Sequence, residues 1–102
     1  MIIDAGHGGK DPGAVSRHTG DEEKKLALDT AERLRRKLSG KAKVVMIREG
    51  DEFVDLDDRV EMASQRDGAI LVSIHYNSSA SSICGPETYY WRVDSHGLAT
   101  RI

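Results

Sequence analysis

An α/β fold with a mainly parallel sheet flanked by helices follows from three features of the sequence. Apolar runs at residues 1–4, 43–48 and 69–74 read as buried strands. Two segments with apolar residues at helical spacing lie between them. Glycines and charged residues separate these elements. The resulting order, β-α-β-α-β-β-α, is the alternation that builds helices onto a parallel sheet.

Taken in order, Met1-Ile2-Ile3-Asp4 is the end of a buried strand that stops at glycine. Residues 5–20 carry Gly6, Gly8, Gly9, Pro12, Gly13 and Gly20, and therefore form a loop. Asp21, Glu22 and Glu23 make an acidic start suited to a helix N-terminus. Leu26, Ala27, Thr30, Ala31, Leu34 and Leu38 continue that helix, and Gly40 ends it. Lys43 to Arg48 form the second strand. Asp55 caps a second helix with Leu56, Val60 and Ala63 on one face. Residues 69–74 are apolar nearly throughout, as a strand covered on both faces should be. Residues 77–85 are a serine-rich loop, residues 87–93 predict a fourth strand, and Ser95 opens a last helix. That helix has room for about two turns, which would leave one side of the sheet poorly covered and predicts an incomplete domain.

Composition limits the function classes. The 102 residues suffice for one small domain with one modest core. With 38% hydrophobic and 31% charged residues the chain reads as soluble and globular. A formal net charge of -2 gives no electrostatic case for nucleic acid or an anionic membrane as partner. No apolar run approaches the roughly 20 residues that span a bilayer. No signal peptide precedes the first strand, and the direct entry into that strand leaves a removed leader open. Cys84 is the single cysteine, so it has no internal disulfide partner, and it reads as a small buried or loop residue.

Ligand sites in open α/β sheets lie outside the carboxyl ends of the strands. His7 follows the first strand and His75 the third. Glu23, in the first turn of the helix leaving the first loop, faces the same crevice. Two imidazoles and one carboxylate, with a position left for water, form a catalytic zinc arrangement. An isolated histidine is more often structural or exposed than a ligand, and spacing alone leaves both readings open. His18 and His96 lie in polar segments and read as solvated. The Gly6-His7-Gly8-Gly9-Lys10-Asp11 loop matches neither the dinucleotide fingerprint nor a P-loop. Arg48, Asp51, Asp58 and Arg59 read as a solvated charge set or an ion-pair network. Tyr89, Tyr90 and Trp91 read as packing or edge residues, with carbohydrate stacking as the minority reading.

The run Ile3-Asp4-Ala5-Gly6-His7-Gly8-Gly9-Lys10-Asp11-Pro12-Gly13-Ala14 resembles the opening motif of the zinc-dependent N-acetylmuramoyl-L-alanine amidases. Further matches follow in the family's order. Glu23-Lys24 with Leu26 and Leu28 resembles its E-K-x-x-x-L helix start. Val44 to Arg48, then Asp51, Phe53, Leu56 and Arg59, resembles its V-x-x-T-R…D-x-F-x-x-L-x-x-R stretch, with Ile47 in place of the usual threonine. Val72 to Ser78 resembles its S-I-H-A-N, and Gly85 to Tyr90 its G-x-E-x-Y-Y. The resemblance implies that residues 1–102 are the N-terminal portion of an amidase catalytic domain, with Zn2+ held by His7, Glu23 and His75. Glu22 is the adjacent alternative, but Glu23 stands in register with Lys24. The implied reaction is hydrolysis of the amide between N-acetylmuramic acid and the L-alanine of the peptidoglycan stem. The implied location is extracellular, periplasmic or in the cell wall.

One departure from the family pattern bears on activity. The family's catalytic glutamate lies in a segment resembling P-x-x-L-V-E-x-G-F, and nothing like it occurs before Ile102. No catalytic general base is therefore identifiable in the chain, which implies either a fragment of a longer amidase or a degenerate metal-binding relative. The chain's end inside a helix favours the fragment. Three functions follow as alternatives: a cell-wall hydrolase, possessing little activity in this short form; a catalytically silent module that binds zinc or peptidoglycan; and a non-metal α/β binding protein in which the His/Glu set is coincidental.

Overall fold

The computed structural model describes residues 1–78 and 85–102. Its centre is a three-stranded parallel sheet of β1 (Ile2–Ala5), β2 (Val45–Met46) and β3 (Leu71–Ile74), in the order β2-β1-β3. The register pairs Ile2 with both Val45 and Leu71, and Ala5 with Ile74. Being central, β1 is buried along its whole length. Successive side chains leave a strand on opposite faces. Ile3 and Ala5 enter the core on one face, while Asp4, between them, points to the other, where it meets Arg59.

Helix α1 (Glu23–Leu38) covers the Ile3 face. Ala27 and Ala31, one turn apart on the same side of the helix, are fully buried against β1, and Leu28, Leu34 and Leu38 flank them. Two alanines at the contact let the helix backbone come close to the sheet. Leu26, expected on this face, is exposed, and Leu28 packs there in its place. Arg35, Arg36 and Lys37 in the last turn complement the helix dipole. At the other end no side chain caps the helix. Loop carbonyls do so: Glu23 N–H donates to Ala14 O at 2.8 Å and Lys24 N–H to Pro12 O at 3.1 Å. The first loop is thereby tied to the turn that carries Glu23.

Helix α2 (Leu56–Ser64) starts as expected at Asp55, whose carboxylate accepts from Asp57 N–H. Its apolar residues meet solvent, however: Leu56 is 74% and Val60 61% exposed. β3 likewise differs from the expected doubly covered strand, since Leu71 is half exposed and nothing pairs with its outer edge among the described residues. The predicted fourth strand at 87–93 does not form. These residues join no ladder with β1, β2 or β3, and a strand without a partner has no backbone bonds to hold it. They lead instead into a short turn of 3-10 helix (Val93–Ser95) and α3 (His96–Ala99). Most of the serine-rich loop, and Cys84 with it, lies outside the described residues.

The tightness of the α1–β1 contact is testable. Ala31→Leu should force the helix off the sheet and destabilise the fold by about 1–3 kcal/mol, the usual cost of overpacking a filled core. Leu28→Met, which keeps volume, should cost less. Denaturant unfolding of the two variants measures the difference.

Candidate metal centre

The parallel arrangement puts the carboxyl ends of β1 and β3 on one edge of the sheet, and the site is built there. Gly6 N–H still donates to Ile74 O at 2.9 Å, so the two chains separate only after that bond. His7 is the next residue of one chain and His75 of the other. Glu23 reaches the same point from the first turn of α1. One donor atom from each residue lies within 4.8 Å of the other two. His7 Nε2 is 3.0 Å and His75 Nδ1 3.1 Å from Glu23 Oε1, and the two ring nitrogens are 3.2 Å apart.

These separations carry chemical information. Asp11 Oδ2 lies 2.8 Å from His7 Nδ1. Glu23 Oε1 stands at 3.0 Å from the other ring nitrogen, Nε2, and a carboxylate can only accept, so a neutral ring donates to one of the two; with its proton on Nδ1 toward Asp11, the Nε2 lone pair is free to meet a cation shared with Glu23 and His75. Three electron-pair donors packed this closely repel one another unless a proton or a cation sits among them. For metal–ligand bonds of about 2.0–2.1 Å, a tetrahedral site has donors about 3.3 Å apart. The observed triangle of 3.0, 3.1 and 3.2 Å is close to one face of such a tetrahedron. The residues present therefore fit a small divalent cation with a fourth, outward position.

Glu23 is held in this role by the backbone. Its Oε1 accepts from Tyr76 N–H at 2.8 Å and its Oε2 from Ala14 N–H at 2.9 Å. Burial on its own would raise the Glu23 pKa. The Ala14 and Tyr76 N–H groups and the neighbouring His7 and His75 outweigh it, and the net shift is downward. Asp11 is also shifted down, first by its bond to His7 and then by Gly13 N–H, which donates to Oδ1 at 3.0 Å. Glu22, the alternative carboxylate, turns away to Lys24 and Lys25, at 3.4 and 3.8 Å.

Space around the triad is tight. A Cβ on Gly6 would sit 2.6 Å from His75 Nδ1. A Cβ on Gly13, at φ +66°, would sit 2.6 Å from His7 Cδ2 and 2.7 Å from Glu23 Oε2. Only glycine leaves room for the rings and the carboxylate at these two positions. His7 itself has φ +60°, a conformation that costs a non-glycine residue energy and persists only where the surroundings impose it.

Sequence reasoning missed what imposes it. Arg48 is a buried group rather than a solvated charge, and Arg59 is in an ion pair, as the second reading allowed, but with Asp4. Arg48 is 1% exposed and donates to backbone carbonyls of Ala5, Gly6, Lys24 and Gly50. Burial, followed by the nearby Arg59 charge, lowers its pKa. Arg59 donates to the carbonyls of Val54, Ala5 and His7 and forms an ion pair with Asp4. Asp51 does belong to an ion pair as expected: it accepts from Lys24 Nζ at 2.9 Å and from Gly9 N–H at 2.8 Å. His18 and His96 are exposed and do not belong to the donor cluster, His96 lying edge-on to Tyr90. Tyr89 and Trp91 are exposed rather than packed.

Known proteins share this arrangement of sequence and fold. The family profile described as N-acetylmuramoyl-L-alanine amidase matches residues 1–102. YqiI of Bacillus subtilis is 44% identical over 88% of this chain and 43% of its own length. LytC, an N-acetylmuramoyl-L-alanine amidase of the same species, is 39% identical over 88% of this chain and 18% of its own. The catalytic domain of CwlV, an N-acetylmuramoyl-L-alanine amidase from Bacillus (Paenibacillus) polymyxa, superposes with a TM-score of 0.88 at 42% identity, covering 97% of this chain and 57% of that one. The chain thus spans less than half the length of the two curated relatives and a little over half of that catalytic domain. By sequence along its full length and by fold, it belongs to the N-acetylmuramoyl-L-alanine amidase family.

Proposed function

We propose that His7, Glu23 and His75 are the ligands of a zinc ion, and that residues 1–102 are the N-terminal portion of a catalytic domain that hydrolyses the bond between N-acetylmuramic acid and L-alanine in peptidoglycan. The observation that carries this reading is the convergence of three electron-pair donors at tetrahedral spacing, with the Asp11 carboxylate behind the His7 ring. Family membership supports the substrate class. The site of action is then extracellular, periplasmic or within the cell wall, where the substrate lies. No helix of the described residues is long and apolar enough to cross a membrane.

Zinc held there supplies Lewis acidity toward a carbonyl and a water of lowered pKa. The protein's own groups do the positioning. Glu23, ionised and clamped by two backbone N–H groups, brings the negative charge. Asp11 keeps the His7 proton on Nδ1, away from the donor set. What the described residues do not offer is a free carboxylate for proton transfer: Glu23 and Asp11 are both engaged, and no further carboxylate contacts the triad. A positioned general base contributes ~10²–10⁴-fold to such a reaction. Residues 1–102 on their own are therefore weak or silent as a hydrolase, and in that form act as a metal-binding module of the amidase fold.

Three outcomes are expected. His75→Ala should strip zinc from the purified protein, whereas His18→Ala and His96→Ala should retain it in elemental analysis; equal retention in all three rules out the assignment. Asp11→Ala should bind zinc roughly 10- to 100-fold more weakly, as loss of a carboxylate behind a histidine ligand does elsewhere, and Asp11→Asn, which can still accept from Nδ1, should fall between. Dye release from purified sacculi should be weak with residues 1–102 and strong, chelator-sensitive and His75-dependent with the full-length gene product. Equal release by the two would show that a group within these residues serves as the base.

A further inference from the structure

We propose that Arg48 and Arg59 are positioning residues for the His7–Glu23–His75 triad. From opposite sides they donate to three consecutive carbonyls, those of Ala5, Gly6 and His7, and so impose the backbone path that aims the His7 ring. The inference rests on the metal reading of the triad and extends it to two side chains that touch none of the three donor atoms.

The bonds are specific. Ala5 O accepts from Arg48 Nε and from Arg59 Nη1, each at 2.9 Å. Gly6 O accepts from Arg48 Nη2 at 2.8 Å, and His7 O from Arg59 Nη2 at 2.7 Å. β1 ends at Ala5, and beyond it these carbonyls have left the sheet. Left unpaired in a buried setting, each would carry the desolvation cost of an unsatisfied acceptor. Satisfying His7 O from the α2 side and Gly6 O from the β2 side fixes the peptides on both sides of His7. That is how a histidine is held at φ +60°.

The same guanidinium reaches further. Arg48 Nη2 also donates to Lys24 O at 2.8 Å, one residue beyond Glu23. One planar group thus bonds both the loop that carries His7 and the helix turn that carries Glu23. Through Asp4, Arg59 is linked to the third component: Asp4 accepts from Arg59 and, at 2.8 Å, from Ser73 Oγ, two residues before His75. All three donor-bearing segments are joined through two arginines. A lysine cannot replace this fork, because its ammonium is a point charge that cannot span several fixed carbonyls. Satisfying carbonyls for stability alone would not require the two groups to converge on the residues flanking the three donors.

The test is zinc affinity measured by competition with a chromophoric chelator, on the full-length gene product. Wild type, Arg48→Lys, Arg59→Lys and Leu38→Ala are compared well below their unfolding temperatures. Leu38 packs at the far end of α1 and reports lost stability alone. Both lysine variants should bind zinc at least roughly tenfold more weakly. Leu38→Ala should bind as wild type even where its melting temperature falls as far. Should Arg48→Lys fail to fold, Arg59→Lys, on the more accessible side, decides. Wild-type affinity in the folded lysine variants, or an equal loss in Leu38→Ala, overturns the brace and leaves the metal reading standing. A wild-type protein that binds no zinc overturns both.

Discussion

Where β1 stops, three consecutive peptide carbonyls leave the sheet while still shielded from water, and the rest of the site depends on how they are satisfied. A parallel sheet ends abruptly at its carboxyl edge. Each strand must hand its last backbone groups to something else. In many folds a helix N-terminus or a bound ligand takes part in this. Here the acceptors are taken by guanidinium groups from the loop that leaves β2 and from α2. The chain can then turn through a left-handed histidine instead of a glycine, and a side chain able to bind metal stands where only backbone would otherwise fit.

The topology supplies the other ligands with little further adjustment. Placing β1 centrally, between β2 and β3, makes His7 and His75 neighbours although they are far apart in sequence. The loop after His7 returns to cap α1 with its carbonyls, which sets Glu23 between the two rings. Reciprocal bonds, Glu23 N–H to Ala14 O and Ala14 N–H to the Glu23 carboxylate, lock the loop and the helix start to each other. Gly13 is the hinge of this closure, because a side chain there would occupy the space of both His7 and Glu23.

Much of this could be read from the sequence, and the parts that could not share a cause. β1, α1, α2 and β3 announce themselves through local patterns, and His7, Glu23 and His75 through their position at the ends of those elements. The carbonyl-binding role of Arg48 and Arg59 did not, because an arginine in a charged stretch looks the same whether it faces solvent or a set of carbonyls: apart from Asp4, their partners are backbone atoms, which leave no mark in sequence. The errors at Leu71 and residues 87–93 are of a second kind. Their apolar or β-prone residues predict covered faces and a paired strand. Covering and pairing are relations with other segments, and among the described residues those segments are not there to make them. Leu26 and Leu28 show the same limit on a small scale: both lie within reach of the apolar stripe of α1, and only the position of β1 decides which is buried.

The three donor residues differ in exposure, and on the proposed reading this sets the side from which a substrate would approach. Side-chain exposure is 6% for Glu23, 23% for His7 and 47% for His75. The donor set is therefore a bowl with its closed wall at α1 and its open rim on the β3 side. Glu23 is bonded by two backbone N–H groups, and the His7 ring contacts Asp11 behind it. On the proposed reading, a cation held by the three donors would be reached from the side of His75, the most exposed of them. A flexible glycan–peptide strand can reach a site at the rim of a sheet without threading a tunnel, which suits a polymeric substrate better than an enclosed cavity would.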